Sequence, residues 1–101
     1  MHVDVLFMGA DGITPERGAS TDLVQEADMY HAMVRCAERV VVVADSTKVG
    51  VDTLHAILPC ADIDVLVTDT HAPAHVLAAL RAAGVEVVEV PHPDDGVAQE
   101  E

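Results

Sequence analysis

Aromatic and basic side chains are the scarcest components of this sequence. Among 101 residues there is one Tyr, one Phe and no Trp, so a core has to be assembled from Val, Ala, Leu and Ile without large ring anchors. Lys and Arg number 5 against 18 Asp and Glu, giving a formal net charge of -13. Binding to a phosphate backbone depends on clustered cations that displace counterions, which excludes this chain as a DNA-binding module in its own right. Cysteine is sparse too. Cys36 and Cys60 lie in apolar stretches without Cys-x-x-Cys spacing, which argues against a disulfide framework or a zinc site and predicts two buried free thiols in a reducing compartment. There is no run of about 18 apolar residues, and the first residues lack a basic region followed by an apolar stretch, so neither a spanning helix nor a signal peptide is indicated. The expectation is a soluble, cytoplasmic chain with no membrane partner.

Half of the residues are hydrophobic. A domain of this length buries roughly 60–70% of the surface its unfolded chain exposes, enough to fold with little stability to spare. The apolar residues fall into short runs. Val3 to Met8 reads as a buried strand that meets Gly9 and the turn pairs Asp11-Gly12 and Thr14-Pro15. From Thr21 or Asp22 to Ala37 there is neither Gly nor Pro, and Leu23, Ala27, Tyr30, Val34 and Ala37 share one helical face. That spacing predicts a helix capped at Thr21 or Asp22. Val40 to Ala44 does not alternate, as expected of a strand covered on both faces. Thr53 to Leu58 reads as a short strand in preference to a turn of helix, Val65 to Thr68 as a buried strand, Ala74 to Ala83 as a helix stopped by Gly84, and Val85 to Val90 as the closing strand. The domain is expected over residues 1–90, with 91–101 an acidic, frayed tail.

Strands alternating with helices through short loops predict an α/β fold, a parallel-dominated sheet flanked by helices and joined by right-handed crossovers. Ligands of such sheets sit beyond the carboxyl ends of the strands. Three loops are expected there: Gly9 to Gly18, Asp45 to Lys48, and Asp69 to Pro73. In the first, Asp11 stands between Gly9 and Gly12, where it could accept hydrogen bonds from ligand hydroxyls while the glycines admit the ligand to the backbone; a plain Asp-Gly turn explains the same residues. In the second, Lys48 is either a solvated cation or a point charge for phosphate or a carbonyl oxygen. Glu26, near the start of the first helix, is expected to converge with Asp11 and Lys48. Two carboxylates and an ammonium around one cleft suit a polyhydroxylated anionic small molecule. The six histidines include His71 and His75 at helical spacing, but Pro73 between them starts the helix there, and no acidic or cysteine partner stands at ligand spacing. No metal or other cofactor is expected.

The order Phe7-Met8-Gly9-Ala10-Asp11-Gly12-Ile13, Gly18, Glu26-Ala27, Val43-Ala44-Asp45-Ser46-Thr47-Lys48 and Val67-Thr68-Asp69 resembles the carboxy-terminal effector-sensing domain of DeoR/GlpR-type transcriptional repressors, from about Val3 to Val90. The resemblance implies a sugar-phosphate isomerase-like fold, related to ribose-5-phosphate isomerase and glucosamine-6-phosphate deaminase. It further implies a phosphorylated-sugar effector bound by Gly9, Asp11, Gly12, Glu26 and Lys48, assembly into a dimer or larger homo-oligomer, and DNA contact only through an amino-terminal domain absent from this chain. A first strand and a Gly-Thr-Thr-like phosphate loop, which such domains carry before the matched region, are also absent from it.

The same residues resemble half of an isomerase site. Gly9-Ala10-Asp11, Glu26 and Ala44-Asp45-Ser46-Thr47-Lys48 match ribose-5-phosphate isomerases, whereas Met8 replaces a further Asp and Glu16-Arg17-Gly18-Ala19 offers no matching Lys. Enediol chemistry requires both a base and an electrophile for the developing oxyanion. The expectation is therefore binding without catalysis, with an isomerase or a bare oligomerisation module as the alternatives. An exposed sheet edge left by the missing first strand would favour assembly.

Overall fold

A computed structural model describes residues 2–95. The main sheet has four parallel strands, β1 (Val3–Gly9), β4 (Ala37–Val43), β6 (Val65–Asp69) and β7 (Glu86–Val90), lying side by side in chain order. A second sheet is antiparallel and small: β2 (Gly12–Thr14), β3 (Gly18–Thr21) and β5 (His55–Leu58), with a register shift at Ala19/Ser20. Two helices complete the fold, α1 (Val24–Val34) before β4 and α2 (Ala74–Ala82) before β7. Short 3-10 turns cover Ser46–Lys48, Cys60–Asp62 and Pro93–Asp95.

The core lies on one side of the main sheet. Leu6 and Met8 of β1, Val40 and Val42 of β4 and Leu66 of β6 are buried there with Leu77 and Leu80 of α2 and with Ile13, Ala19, Ile57 and Leu58 of the small sheet. Every side chain is aliphatic or small, as the shortage of aromatics required. The α/β architecture with a parallel sheet and flanking helices agrees with the sequence-based expectation, and so do β6, α2 and the stop at Gly84, whose φ of 101° suits a residue without Cβ.

Several local readings change. The strand at Val3–Met8 is not buried on both faces: it forms one edge of the sheet, and Phe7 is 68% exposed. Val43 is likewise open on the face away from the helices, although Val40, Val41 and Val42 are buried. The stretch expected to be one loop, Gly9 to Gly18, contains β2, and Gly18 already belongs to β3. α1 starts at Val24 rather than Thr21 or Asp22, with Leu23 at the cap position and no side-chain cap bond. Thr21 is held in β3 opposite His55, and Ala37 opens β4 instead of closing the helix. The strand expected near Thr53–Leu58 forms, but in the antiparallel sheet. Residues 91–95 are not frayed: Asp95 accepts from the His92 N–H at 2.9 Å and from the Thr70 hydroxyl. The rest of the expected tail, 96–101, lies outside the described residues.

The two thiols separate. Cys60 is buried, its Sγ 3.5 Å from the Thr14 carbonyl, and burial, with a smaller effect of Glu16, raises its pKa. Cys36 is only half-buried, so the expectation of two buried thiols holds for Cys60 alone. Alkylation under native conditions should modify Cys36 at least roughly tenfold faster than Cys60, because the thiolate is the reactive form and burial disfavours it. Mass spectrometry of timed aliquots reads this, and equal rates would show that Cys60 is accessible.

Candidate functional site

The carboxyl ends of β1 and β4 open onto a cleft of about 240 Å³. Gly9 reaches it from the end of β1, Asp11 from the turn that follows, Glu26 from the first turn of α1, and Lys48 from the turn after β4. The expected convergence of Asp11, Glu26 and Lys48 is thus present in the geometry. Gly12 is not part of it. It is buried in β2, where a Cβ would lie 2.2 Å from the Val51 carbonyl oxygen, so its lack of a side chain serves close backbone packing. Gly9 is the opposite case, since a Cβ there meets nothing nearer than the Val43 carbonyl at 3.9 Å.

Thr21 organises the acidic side of the cleft. Its hydroxyl lies 2.8 Å from Glu26 Oε1 and 3.0 Å from Asp11 Oδ2, and its single proton can serve only one of them at a time. Asp11 Oδ2 also accepts from the Asp22 N–H at 2.9 Å. The Asp22 N–H, then the Thr21 hydroxyl and more weakly the Lys48 charge, hold the Asp11 carboxyl below the usual carboxylate range against a small opposing effect of burial. Asp11 is therefore ionised at neutral pH. The residue read from sequence as a helix cap is in fact the hydroxyl that bridges two site carboxylates.

The loop carrying Lys48 is fixed from three directions. Asp45 accepts from the Thr47 hydroxyl and from the Thr47 N–H at 2.8 Å, and these bonds, with Lys48 beyond them, lower its pKa despite burial and the nearby Asp69 charge. Asp69, at the end of β6, accepts from the Ser46 N–H at 2.8 Å and the His71 N–H at 2.9 Å. Burial acts to raise the Asp69 pKa, but those bonds outweigh it and leave the pKa lowered. On the other side the Gly50 N–H donates to the Ile13 carbonyl at 2.8 Å, tying the loop to β2.

Tyr30 and Asp45 also line the cleft, and neither is among the ligand-binding residues expected from sequence. Tyr30 carries the periodicity of a core residue, and nothing in that pattern shows that it stands one helical turn beyond Glu26 on the cleft side. The sequence places Asp69 at the end of a strand without assigning it a role, because its positioning role depends on a partner 23 positions away. Three carboxylates, a phenol and one ammonium make a cleft rich in hydrogen-bond acceptors with a single cationic contact.

His71 and His75 form no pair: His71 stacks on His92 with ring centroids 3.9 Å apart, and its Nε2 is 2.8 Å from Asp95 Oδ1. Among the described residues, one group has metal-ligand spacing. His2 Nε2 lies 3.2 Å from Asp4 Oδ1 and 3.4 Å from Glu38 Oε2, all three exposed at the opposite end of the sheet.

A family model described as the DeoR C-terminal sensor domain matches residues 1–70. This chain belongs to that family. It is 45% identical over 87 residues to the "Putative aga operon transcriptional repressor" of Escherichia coli O157:H7, covering 86% of this chain and 32% of that protein. It is 35% identical over 98 residues to the HTH-type transcriptional regulator GlpR of Haloferax volcanii, covering 97% of this chain and 36% of that regulator. Over 87 residues it is 29% identical to the HTH-type transcriptional regulator GolR of Listeria innocua, covering 86% and 34%. The chain thus spans about a third of the length of the curated relatives it matches. As a DeoR-type sensor domain it has a regulatory, effector-sensing role, and its α/β fold is the one the resemblance implied. No helix among the described residues is long and apolar enough to cross a membrane.

Proposed function

We propose that this DeoR-type sensor domain reads a phosphorylated sugar, or a metabolite of the same chemistry, in the cleft at the carboxyl ends of β1 and β4, and that it does so without turnover. The observation that carries the reading is the convergence of Asp11, Glu26 and Lys48 around Gly9. The ionised carboxylate of Asp11 and the carboxyl of Glu26 accept from sugar hydroxyls, Lys48 supplies the cationic contact for an anionic or carbonyl group, and Gly9 admits the ligand to the strand end. Gly12 supports this arrangement from behind rather than touching the ligand. The protein works in the cytoplasm as a homo-oligomer, and DNA is contacted by a separate helix-turn-helix domain, as the names of two relatives suggest. Binding without catalysis is supported by the regulator names of the relatives and by Met8, which lies buried where isomerases carry a further carboxylate.

Calorimetric titration with a panel of sugar phosphates tests the reading, on this chain and on a longer version carrying the preceding segment of the 45% identical relative. Gly9→Ala is the diagnostic variant. Its Cβ has room in the fold, so stability should stay within about 0.5 kcal/mol of the parent, while ligand affinity should fall roughly tenfold or more as the methyl group occupies ligand space. Unchanged affinity in Gly9→Ala removes the strand end from the site. Conversion of ribose 5-phosphate to its ketose would replace the sensor reading with an isomerase.

A further inference from the structure

At the end of the main sheet away from the cleft, three metal-ligating side chains meet. His2 immediately precedes β1 and Asp4 stands two residues further on, so both project from the face that carries Leu6 and Met8. The ladder that pairs Val3 with Ala37 and Val5 with Arg39 sets Glu38 beside Asp4, on the face of β4 that carries Val40 and Val42. Backbone register therefore makes the cluster. The Val3 N–H donates to the Cys36 carbonyl at 2.9 Å, which holds that register up to the first residue of β1. His2 Nε2 is 3.2 Å from Asp4 Oδ1 and 3.4 Å from Glu38 Oε2, and the three ligand atoms all lie within 4.8 Å of one another. Atoms bound at about 2.1 Å to one tetrahedral ion are roughly 3.4 Å apart. Both His2 separations match that spacing.

Electrostatics favours a cation there. Like charges side by side in a ladder destabilise a sheet, and a chain of net charge -13 has few cations to offset them. Among the described residues Arg17 pairs with Asp52 and Arg81 with Glu89, whereas neither Asp4 nor Glu38 meets a Lys or Arg. His2 is the basic group in contact with both, and exposed ion pairs of this kind contribute little. A divalent ion neutralises both carboxylates at once. We propose that His2, Asp4 and Glu38 bind one divalent first-row transition-metal ion of the Zn²⁺ class. The imidazole nitrogen selects against Mg²⁺ and Ca²⁺, which take oxygen ligands, and the absence of a thiolate from the donor set selects against Cu⁺. All three residues are exposed, so water completes the coordination. The ion clips the amino end of β1, an edge strand, to β4. Its role is structural, because only the folded ladder brings Glu38 to Asp4, and binding therefore stabilises the fold. The site stands at the opposite end of the strands from the cleft and does not depend on the sensor reading.

Calorimetric titration of this chain with Zn²⁺ in the presence of excess Mg²⁺ should show one site with a Kd of roughly 10 μM or tighter. Co²⁺ should report the same site through visible absorption bands. Saturation with Zn²⁺ should raise the thermal midpoint by about 5 °C or more. His2→Gln, Asp4→Asn and Glu38→Gln should each weaken Zn²⁺ binding roughly tenfold or more and remove that rise, with circular dichroism confirming that these surface variants fold. His71→Gln should bind as the parent does, which separates this cluster from the stacked His71–His92 pair beside Asp95. Acetylation of the terminal amine should also leave binding unchanged. Binding lost in His71→Gln, binding that needs the free amine, affinity unchanged in Asp4→Asn and Glu38→Gln, or Zn²⁺ displaced by Mg²⁺ would each overturn the inference. Sugar-phosphate affinity should be the same in the three cluster variants as in the parent, so the metal site and the sensor reading can fail separately.

Discussion

Gly18→Ala should prevent this chain from folding cooperatively. Gly18 has φ 78°, and a Cβ built there lies 2.2 Å from the Leu58 carbonyl oxygen, 2.7 Å from Pro59 Cα and 2.9 Å from the Cys60 nitrogen. The left-handed conformation by itself costs an alanine about 1–2 kcal/mol. The overlap is the larger effect, because all three atoms are backbone and cannot turn aside as a side chain would. Relief requires β3 to move away from β5, which opens the small sheet over Ala19 and Leu58. Domains of this size hold about 5–15 kcal/mol in total, and a loss above about 4 kcal/mol is the expected class of effect. Gly84→Ala is the control. Its φ is 101°, yet nothing lies within 4 Å of the added Cβ, so only the conformational cost of about 1–2 kcal/mol applies. Urea unfolding followed by circular dichroism separates the two; a Gly18→Ala transition close to that of Gly84→Ala would contradict the packing of β3 against β5.

Asp11→Asn should produce the largest loss of effector binding, with a pH signature that identifies the carboxylate. Charge-assisted hydrogen bonds contribute about 1.5–3 kcal/mol each, so replacing the anion by an amide should weaken binding roughly ten- to a hundredfold. Asp11 has its pKa lowered by the Asp22 N–H, the Thr21 hydroxyl and Lys48. A carboxylate with a depressed folded-state pKa contributes stability that is present above its unfolded value, 3.8, and is lost as pH falls through the folded value. The effector meets the folded state, in which Asp11 stays ionised to below its ordinary range, so the affinity ratio between the parent and Asp11→Asn should be constant from about pH 5 to 8 and shrink only below about pH 4. The second ionisation of a phosphate near pH 6 belongs to the ligand and cancels in that ratio. A ratio that changes between pH 6 and 7 would assign the discrimination to a histidine. Asp45 and Asp69 have lowered pKa values too, so unfolding of the chain itself should become easier over the same acidic range.

Much of the fold was legible because its signals are local. The aliphatic runs at Val40–Val43 and Val65–Val67 predict strands of a parallel sheet from composition alone, and Pro73 and Gly84 punctuate α2 through their own backbone preferences. The antiparallel sheet was not legible in the same way. Gly12–Thr14 and Gly18–Thr21 are too short and too rich in Gly, Ser and Thr to show apolar alternation, and they become strands only because each pairs with the other or with β5. Thr21 shows the same competition at one residue: its type and position suit a helix cap, but the ladder to His55 holds it in β3 and turns its hydroxyl toward Asp11 and Glu26.

The sequence by itself determined an acidic, aliphatic α/β chain and the chemistry of its cleft, because a carboxylate or an ammonium carries its charge wherever the fold places it. The three-way convergence of Asp11, Glu26 and Lys48 could be anticipated from the rule that strand carboxyl ends share one side of a parallel sheet. Tertiary structure decided which glycines serve packing and which the cleft, why Asp69 matters to a loop 23 residues earlier, and that Phe7 lies on an open face. Those properties depend on which atoms arrive from distant parts of the chain, and a local pattern of residue types holds no record of them.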